Sequence, residues 1–105
     1  IPENKVAILS LTLDEMAQFN YVKGDTEGLV NVALSAEGVE VAVFFNQSER
    51  GIKISFRSKG PEVNILANEH FDGGGHKFAA GGFSELSMED TIAKFKSLIP
   101  QYFSE

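Results

Sequence analysis

The sequence contains no cysteine, and this absence removes several kinds of site at once. Neither a disulfide framework nor a thiolate-ligated metal site can form, and a cysteine nucleophile is excluded. No apolar run approaches the length of a membrane span, and no segment has the pattern of a secretory signal peptide. We therefore expect no membrane partner, and a cytoplasmic location is compatible with these absences and is the one we predict.

Basic residues are scarce, with nine lysines and arginines against fifteen acidic residues and a net charge of −6. A protein that grips long nucleic acid usually carries a basic surface, because phosphate neutralisation dominates that affinity. The basic residues gather unevenly, since residues 50–77 hold five of them against three acidic residues. This distribution favours a small anionic ligand over an extended polyanion.

Groups that could carry out catalysis by themselves are also few. No serine lies in the pattern of a nucleophile elbow, and the acidic residues are scattered, with no pair marked for acid–base chemistry. His70, Asp72 and His76 could in principle hold a divalent ion, but no helix or strand would point all three inward. We therefore predict no catalytic residue and no metal ligand in these 105 residues.

Hydrophobic periodicity predicts an α/β fold, in which a mixed sheet of four or five strands is flanked by helices in a single small domain. Strands are predicted at residues 6–11, 39–46, 52–58 and 81–83, with residues 47–51 as a hairpin loop. The second strand has apolar residues on both faces, so we expect it to be covered on both sides.

Four helices are predicted from caps and spacing. The first runs from a capping box at Thr12 and Glu15 to about Phe19, and residues 20–25 form a loop. The second begins at Asp25 or Thr26, turns Leu29, Val32, Ala33 and Ala36 inward, and stops at Gly38. The third has Pro61 in its first turn and Val63, Ile65, Leu66 and Phe71 inward. The fourth is capped by Ser87, turns Met88, Ile92, Phe95 and Ile99 inward, and is ended by Pro100.

The unusual stretch is residues 71–82, which contain five of the ten glycines. Gly73, Gly74 and Gly75 are followed at once by His76 and Lys77. Exposed backbone N–H groups next to a cation and the start of a helical turn bind anions well, so this stretch is a candidate substrate-binding loop. A tight turn between a helix and a strand, with an incidental histidine, explains the same residues, and the local sequence leaves both interpretations open.

The strand before this stretch alternates strictly between apolar and polar residues. Its polar face carries Lys53, Ser55 and Arg57, and we expect that face to meet the glycine stretch. An arginine can direct two N–H donors at one phosphate, and Ser55 and Ser58 would add hydroxyl groups. The alternative is that Arg57 is a solvated strand residue with a surface ion pair.

Residues 54–58 and residues 71–81, the latter with Gly-Gly-Gly-His and Ala-Ala-Gly, together resemble the C-terminal DHH-associated domain of the DHH-family phosphoesterases. The branch most similar is the nanoRNase, or oligoribonuclease and pAp phosphatase, branch (NrnA type). The resemblance covers essentially the whole chain. It implies that residues 1–105 are a substrate-binding domain of a longer chain, from which the N-terminal domain with the Asp-His-His signature is missing; the start at Ile1 rather than Met also suggests a fragment.

The resemblance implies a set of functional expectations. The parent protein would be a manganese-dependent phosphoesterase that hydrolyses short oligoribonucleotides or adenosine 3′,5′-bisphosphate, with manganese in the missing domain and no cofactor in this fragment. This fragment alone would be inactive; its partners would be short RNA or nucleotide and its own catalytic domain, and a full-length homodimer is allowed. The implied substrate-binding residues are Ser55, Arg57, Ser58, Gly73, Gly74, Gly75, His76 and Lys77.

Two alternatives to this function stay open. One is a related phosphoesterase branch that acts on cyclic dinucleotides or single-stranded DNA ends. The other is a non-enzymatic RNA-binding module, because similar domains accompany alanyl-tRNA editing proteins.

Overall fold

The computed structural model describes residues 5–18 and 25–103. Five strands form one sheet in the order β1-β2-β3-β5-β4. The strands are β1 (Val6–Leu11), β2 (Val41–Ser48), β3 (Gly51–Ser58), β4 (Gly74–His76) and β5 (Ala79–Ser84). The β1–β2 pair is parallel and the other pairs are antiparallel, so the predicted mixed α/β sheet is confirmed.

Four helices accompany the sheet: α1 (Leu13–Gln18), α2 (Asp25–Ser35), α3 (Asn64–His70) and α4 (Met88–Tyr102). Helices α1 and α2 belong to the crossover that joins the parallel strands β1 and β2, as such a connection requires. In the described part of the chain, no helix has the length and apolar character needed to cross a bilayer.

The predicted capping box begins α1. The Thr12 backbone N–H donates to Glu15 Oε1 over 2.9 Å, and the Glu15 backbone N–H donates to Thr12 Oγ1 over 3.2 Å. These reciprocal bonds satisfy donors that the first helical turn leaves without partners. The predicted helix end at Phe19, the loop over residues 20–24 and the capping side chain of Asp25 or Thr26 lie outside the described residues.

The predicted inner face of α2 is right at Ala33, which packs against the core cluster on that side of the sheet, and wrong at its other positions. Leu29 and Val32 are 46% and 68% exposed, whereas Val30 is fully buried against Ala42 and Phe44 on the sheet. Apolar residues occur around most of this helix, so its periodicity alone could not choose a face. Helix α2 ends at Ser35, three residues before the predicted stop at Gly38, which lies in the following turn with φ +86°, a backbone conformation that glycine adopts without strain.

The β2–β3 hairpin is tighter than predicted. Ser48 pairs with Gly51, so the connecting loop is only the two residues 49–50, and β2 begins at Val41 instead of Val39. Both faces of β2 are buried, as expected, since Val43 and Phe45 lie in one core cluster and Phe44 in the other.

The main core lies between the sheet and helices α3 and α4. The Phe95 ring on α4 packs 5.7 Å from the Phe45 ring and 6.2 Å from the Phe56 ring, measured between ring centroids. Phe71, just after α3, packs 5.9 Å from Phe56. Edge-to-face and tilted aromatic pairs of this kind stabilise a core beyond the area they bury.

Two boundary predictions for α3 and α4 are wrong. Helix α3 begins at Asn64, so Pro61 precedes the helix, and Ile65 is 47% exposed because the inward side of this short helix carries Leu66 and Ala67. Helix α4 continues through Pro100 to Tyr102. A proline this close to a helix end removes only one backbone hydrogen bond, and the buried residues around it keep the last turn in place.

Candidate functional site

The glycine stretch forms a β-hairpin. Strand β4 pairs with β5 in the register Gly74 with Gly81, Gly75 with Ala80 and His76 with Ala79, and residues 77–78 form the turn. The expectation of a loop that enters a helical turn is therefore wrong. Glycines have low strand propensity, so three in a row concealed a short edge strand from sequence analysis.

The hairpin is fastened to its neighbours through its turn. The Ser58 backbone N–H donates to the Phe78 carbonyl over 2.9 Å, and the Val63 backbone N–H donates to the Lys77 carbonyl over 2.7 Å. On the other side, the Gly73 N–H donates to the Ala67 carbonyl over 3.0 Å. These bonds tie the hairpin to the end of β3 and to α3, so its exposed residues stand on a fixed frame.

Two of the three consecutive glycines are required by packing. A Cβ atom at Gly73 would collide with the Gly81 carbonyl oxygen and lie 2.6 Å from the Gly82 Cα. Gly75 has φ +139°, and a Cβ atom there would lie 3.0 Å from the Ala79 carbonyl oxygen. A Cβ atom at Gly74 would have only the Asn68 side chain nearby, at 3.9 Å. Part of the glycine signal is therefore structural.

Strand register places the polar side of β3 and the hairpin on one face of the sheet. Residues that pair across antiparallel strands share a face, so three rows run across β3, β5 and β4. The first row is Arg57, Ala79 and His76; the second is Ser55, Gly81 and Gly74; the third is Lys53 and Phe83. We call these eight residues the open strip, because none of them is buried.

The register of β3 agrees with its alternation. Ile52, Ile54 and Phe56 are buried on the opposite face, as predicted. The structure thus brings together Ser55, Arg57, Gly74 and His76 among the predicted binding residues. The others lie apart from the strip: Ser58 is buried on the core side and accepts a bond from the Gly60 N–H, Gly73 and Gly75 pack against β5, and Lys77 is in the turn.

Arg57 is held along the seam between β3 and β5. Its Nη1 donates to the Phe56 carbonyl over 2.9 Å and to the more distant Ala80 carbonyl at 3.5 Å. These bonds orient a guanidinium that carries five N–H donors in a fixed plane. The positive end of the strip is therefore positioned by backbone groups of two strands.

A family model described as the DHHA1 domain matches residues 3–105. The chain belongs to the DHHA1 domain family. The bifunctional oligoribonuclease and PAP phosphatase NrnA of Bacillus subtilis is 33% identical to it over 104 residues, which are 97% of this chain and 33% of that protein. A probable NrnA of Streptococcus mutans is 29% identical over 94% of this chain and 33% of that protein.

Solved structures share the fold. An exopolyphosphatase-related protein from Bacteroides fragilis superimposes with a TM-score of 0.87 at 41% identity, over 93% of this chain and 29% of that one. A pGpG-specific phosphodiesterase, PggH, from Vibrio superimposes with a TM-score of 0.60 at 18% identity, over 97% of this chain and 34% of that one, which shows likeness of fold alone. The chain spans about a third of the length of the curated relatives it matches.

This DHHA1 domain also has a concave surface that sequence analysis did not predict. A cleft of about 330 Å³ lies between α3 and β4, and its lining includes Asn64, Asn68, Glu69, Gly74 and Gly75. The cleft exists because the glycines leave no side chain between the edge strand and the helix. Sequence analysis missed it, since it depends on β4 being a strand beside α3.

His70 of the domain lies outside the strip. Its Nε2 lies 2.8 Å from the Tyr102 hydroxyl, which donates to Glu69 Oε1 over 2.6 Å, so the cluster joins α3 to α4. The hydrogen bond to Glu69, together with partial desolvation and the carboxylate charge, raises the pKa of the Tyr102 phenol above its ordinary value. Over residues 5–18 and 25–103, no group of three acidic or histidine side chains is arranged to hold a metal ion.

Proposed function

We propose that this DHHA1 domain holds the nucleotide in an NrnA-type phosphoesterase that hydrolyses short oligoribonucleotides and adenosine 3′,5′-bisphosphate. The observation that carries the proposal is the row formed by Arg57, Ala79 and His76 on the open strip. It places a guanidinium and an imidazole on either side of a small residue. The named activities of the Bacillus subtilis relative supply the substrate class.

The geometry of this row suits a phosphate group. Neighbouring strands are about 4.8 Å apart, so Arg57 and His76, which are separated by β5, stand roughly 9–10 Å apart at the backbone. Ala79 and Gly81 have no side chain larger than a methyl group, so the surface between Arg57 and His76 is open. Ser55 contributes a hydroxyl group in the next row. Charge-assisted hydrogen bonds from a guanidinium are among the stronger contacts that a phosphate can make.

The backbone of β4 adds donors to this proposed site. In the sheet built by the described residues, β4 is the last strand, so one side of its backbone has no neighbouring strand. Backbone N–H groups at such an edge can bind an anion. Gly74 leaves the approach to that edge uncovered, because it has no side chain.

The hydrolytic chemistry belongs, in this proposal, to the remainder of a longer protein. The described residues contain no cluster that fits a manganese ion, so their part in this proposal is to bind and orient the nucleotide. Curated relatives about three times as long as this chain support a separate catalytic domain. That domain would be the second partner of the open strip, beside the nucleotide. A cytoplasmic location is part of the same proposal.

The test is hydrolysis by the full-length protein with manganese. We expect mononucleotide release from 5′-phosphorylated di- to pentaribonucleotides and phosphate release from adenosine 3′,5′-bisphosphate, with a cyclic dinucleotide as the comparison substrate. The 105-residue chain alone should give no turnover, and a dinucleotide titrated into it should shift NMR signals of Arg57 and Gly74 to His76. Turnover of the cyclic dinucleotide alone, or shifts confined to α4, would contradict the proposal.

A further inference from the structure

The open strip has a second cation at its other end. Lys53 stands on the same face of β3 as Arg57 and pairs across the strands with Phe83. Its side chain is exposed and makes no hydrogen bond or ion pair with the residues that the structure describes. The chain has a net charge of −6, yet Lys53 is a second cation on the face that carries Arg57 and His76. The phosphate position proposed at Arg57 and His76 does not use it.

The distance between the two cations is set by the strand. Four residues at about 3.4 Å each separate Lys53 from Arg57, or roughly 13–14 Å between their Cα atoms. Ser55 on β3 and Gly81 on β5 form the surface between Lys53 and Arg57, and neither has a large side chain. A chain of nucleotides can therefore lie along the strip from one cation to the other without a steric barrier from the described residues.

Phe83 gives this end of the strip an aromatic surface. Its ring is half-buried, and it lies beside the tight β2–β3 hairpin, where a Cβ atom at Gly51 would be 2.8 Å from the ring Cζ. Packing against bare backbone holds the ring in place. A cation beside a fixed aromatic ring is the combination with which proteins hold single-stranded nucleic acid, since bases stack on the ring while the cation meets the backbone.

We propose that Lys53 and Phe83 form a subsite for a further nucleotide of an oligoribonucleotide, which a mononucleotide bisphosphate does not reach. The proposal rests on the proposed function, because it takes Arg57 and His76 as the first phosphate position. Both phosphates of adenosine 3′,5′-bisphosphate sit on one ribose, so a molecule held at Arg57 leaves Lys53 without a phosphate. Lys53 is therefore a specificity-determining residue that separates oligonucleotide from bisphosphate substrates.

The experiment compares two substrates in the full-length protein with manganese. Lys53→Ala should lower kcat/KM for 5′-phosphorylated pentaadenylate about fivefold and leave that for adenosine 3′,5′-bisphosphate within twofold. The slope of log kcat/KM against log salt for the pentamer should become shallower by about 0.7, the value for one phosphate contact in a single strand. Phe83→Leu should also lower the pentamer value selectively, while Lys96→Ala on α4 is the matched control and should change neither.

The outcomes separate the subsite from the function on which it rests. Equal losses on both substrates, or no loss on either, would overturn the subsite while the proposed function stands. A wild-type protein that hydrolyses neither substrate contradicts the proposed function and the subsite with it. Thermal melting of each variant shows whether Phe83→Leu acts through the fold, and the exposed Lys53 supplies the variant that does not depend on packing.

Discussion

Gly81 and Gly82 are neighbours on β5 that face opposite sides of the sheet, and alanine at each should have opposite effects. A Cβ atom at Gly82 would lie 2.9 Å from Phe71 Cβ, 3.1 Å from the Phe71 carbonyl oxygen and 3.3 Å from Phe56 Cε2. Two of these contacts are with backbone or backbone-attached atoms, so the neighbours cannot simply rotate away. We expect Gly82→Ala to destabilise the domain by about 1–3 kcal/mol through overpacking of the core.

The same substitution one residue earlier meets open space. A Cβ atom at Gly81 would have the Ile54 carbonyl oxygen as its nearest neighbour at 3.6 Å, an ordinary contact, and Gly81 is exposed on the open strip. Neither glycine has a left-handed backbone conformation. Gly81→Ala should therefore leave stability unchanged or raise it by up to about 0.5–1 kcal/mol, because alanine restricts the unfolded chain.

Thermal denaturation of the 105-residue chain measures the first difference. A loss of 1–3 kcal/mol corresponds to a Tm lower by roughly 5–20 °C for a domain of this size, against no loss for Gly81→Ala. In the full-length protein, Gly81→Ala should raise KM for short RNA, since its methyl group stands on the floor of the strip. Equal Tm losses for the two variants would show that the register of β5 is wrong, and with it the strip.

Three further predictions address the guanidinium, the core and the α3–α4 cluster. Arg57→Lys keeps the charge but loses the planar donors, so kcat/KM of the full-length protein should fall roughly ten- to a hundredfold; a change within twofold would contradict the phosphate role. Phe56→Ala should cost about 3–5 kcal/mol in urea unfolding, because it leaves a cavity beneath Phe71 and Phe95; a loss under 1 kcal/mol would contradict its central place in the core. The raised Tyr102 pKa means that folding favours the neutral phenol, so the stabilisation that the phenol provides is present below pH 10 and is lost as pH rises through the folded pKa. The difference in Tm between the wild type and Tyr102→Phe should therefore shrink as pH rises above 10. A difference that grows would contradict the hydrogen-bonded cluster of Tyr102, His70 and Glu69.

The sheet was predictable where side chains alternate or are continuously apolar. Strand β3 shows strict alternation between residues such as Ile54 and Ser55, and the buried and exposed faces followed from it. Strand β1 was predicted with its observed ends, Val6 and Leu11. In both cases the pattern of burial is carried by the side chains themselves, which is why it can be read without the tertiary structure.

Prediction failed where backbone contacts decide the structure. Strand β4 consists of two glycines and His76, and its pairing with β5 depends on the absence of side chains at Gly73 and Gly75. Pro100 was expected to end α4, but Ile99 and Phe103 are buried on either side of it and hold the last turn. In these places tertiary packing overrides local propensity.

The site was predicted in composition but not in arrangement. Arg57 and His76 were both proposed as ligand contacts, yet nothing in the sequence says that β5 lies between their strands. The strand order places the chain's later strand, β5, next to β3 and pushes β4 to the edge, which brings Arg57 and His76 into one row. Ser58, one residue beyond Arg57, is turned to the core because successive side chains along β3 point to opposite faces of the sheet.

The two halves of the sheet differ in what covers them, and this difference explains where a ligand site can be. The parallel pair β1–β2 is apolar on both faces, and α2 covers the face away from the main core with Val30 against Ala42 and Phe44. The antiparallel strands β3, β5 and β4 turn polar or small residues to that same face, apart from Phe83 at one end of the open strip, so burying it would gain little free energy within the domain. A face that the fold has no reason to cover, and that collects Lys53, Arg57 and His76, is available to a ligand without any cost in folding stability. The boundary between parallel and antiparallel strands is therefore also the boundary between the part of the sheet that stabilises the domain and the part that we propose binds nucleotide.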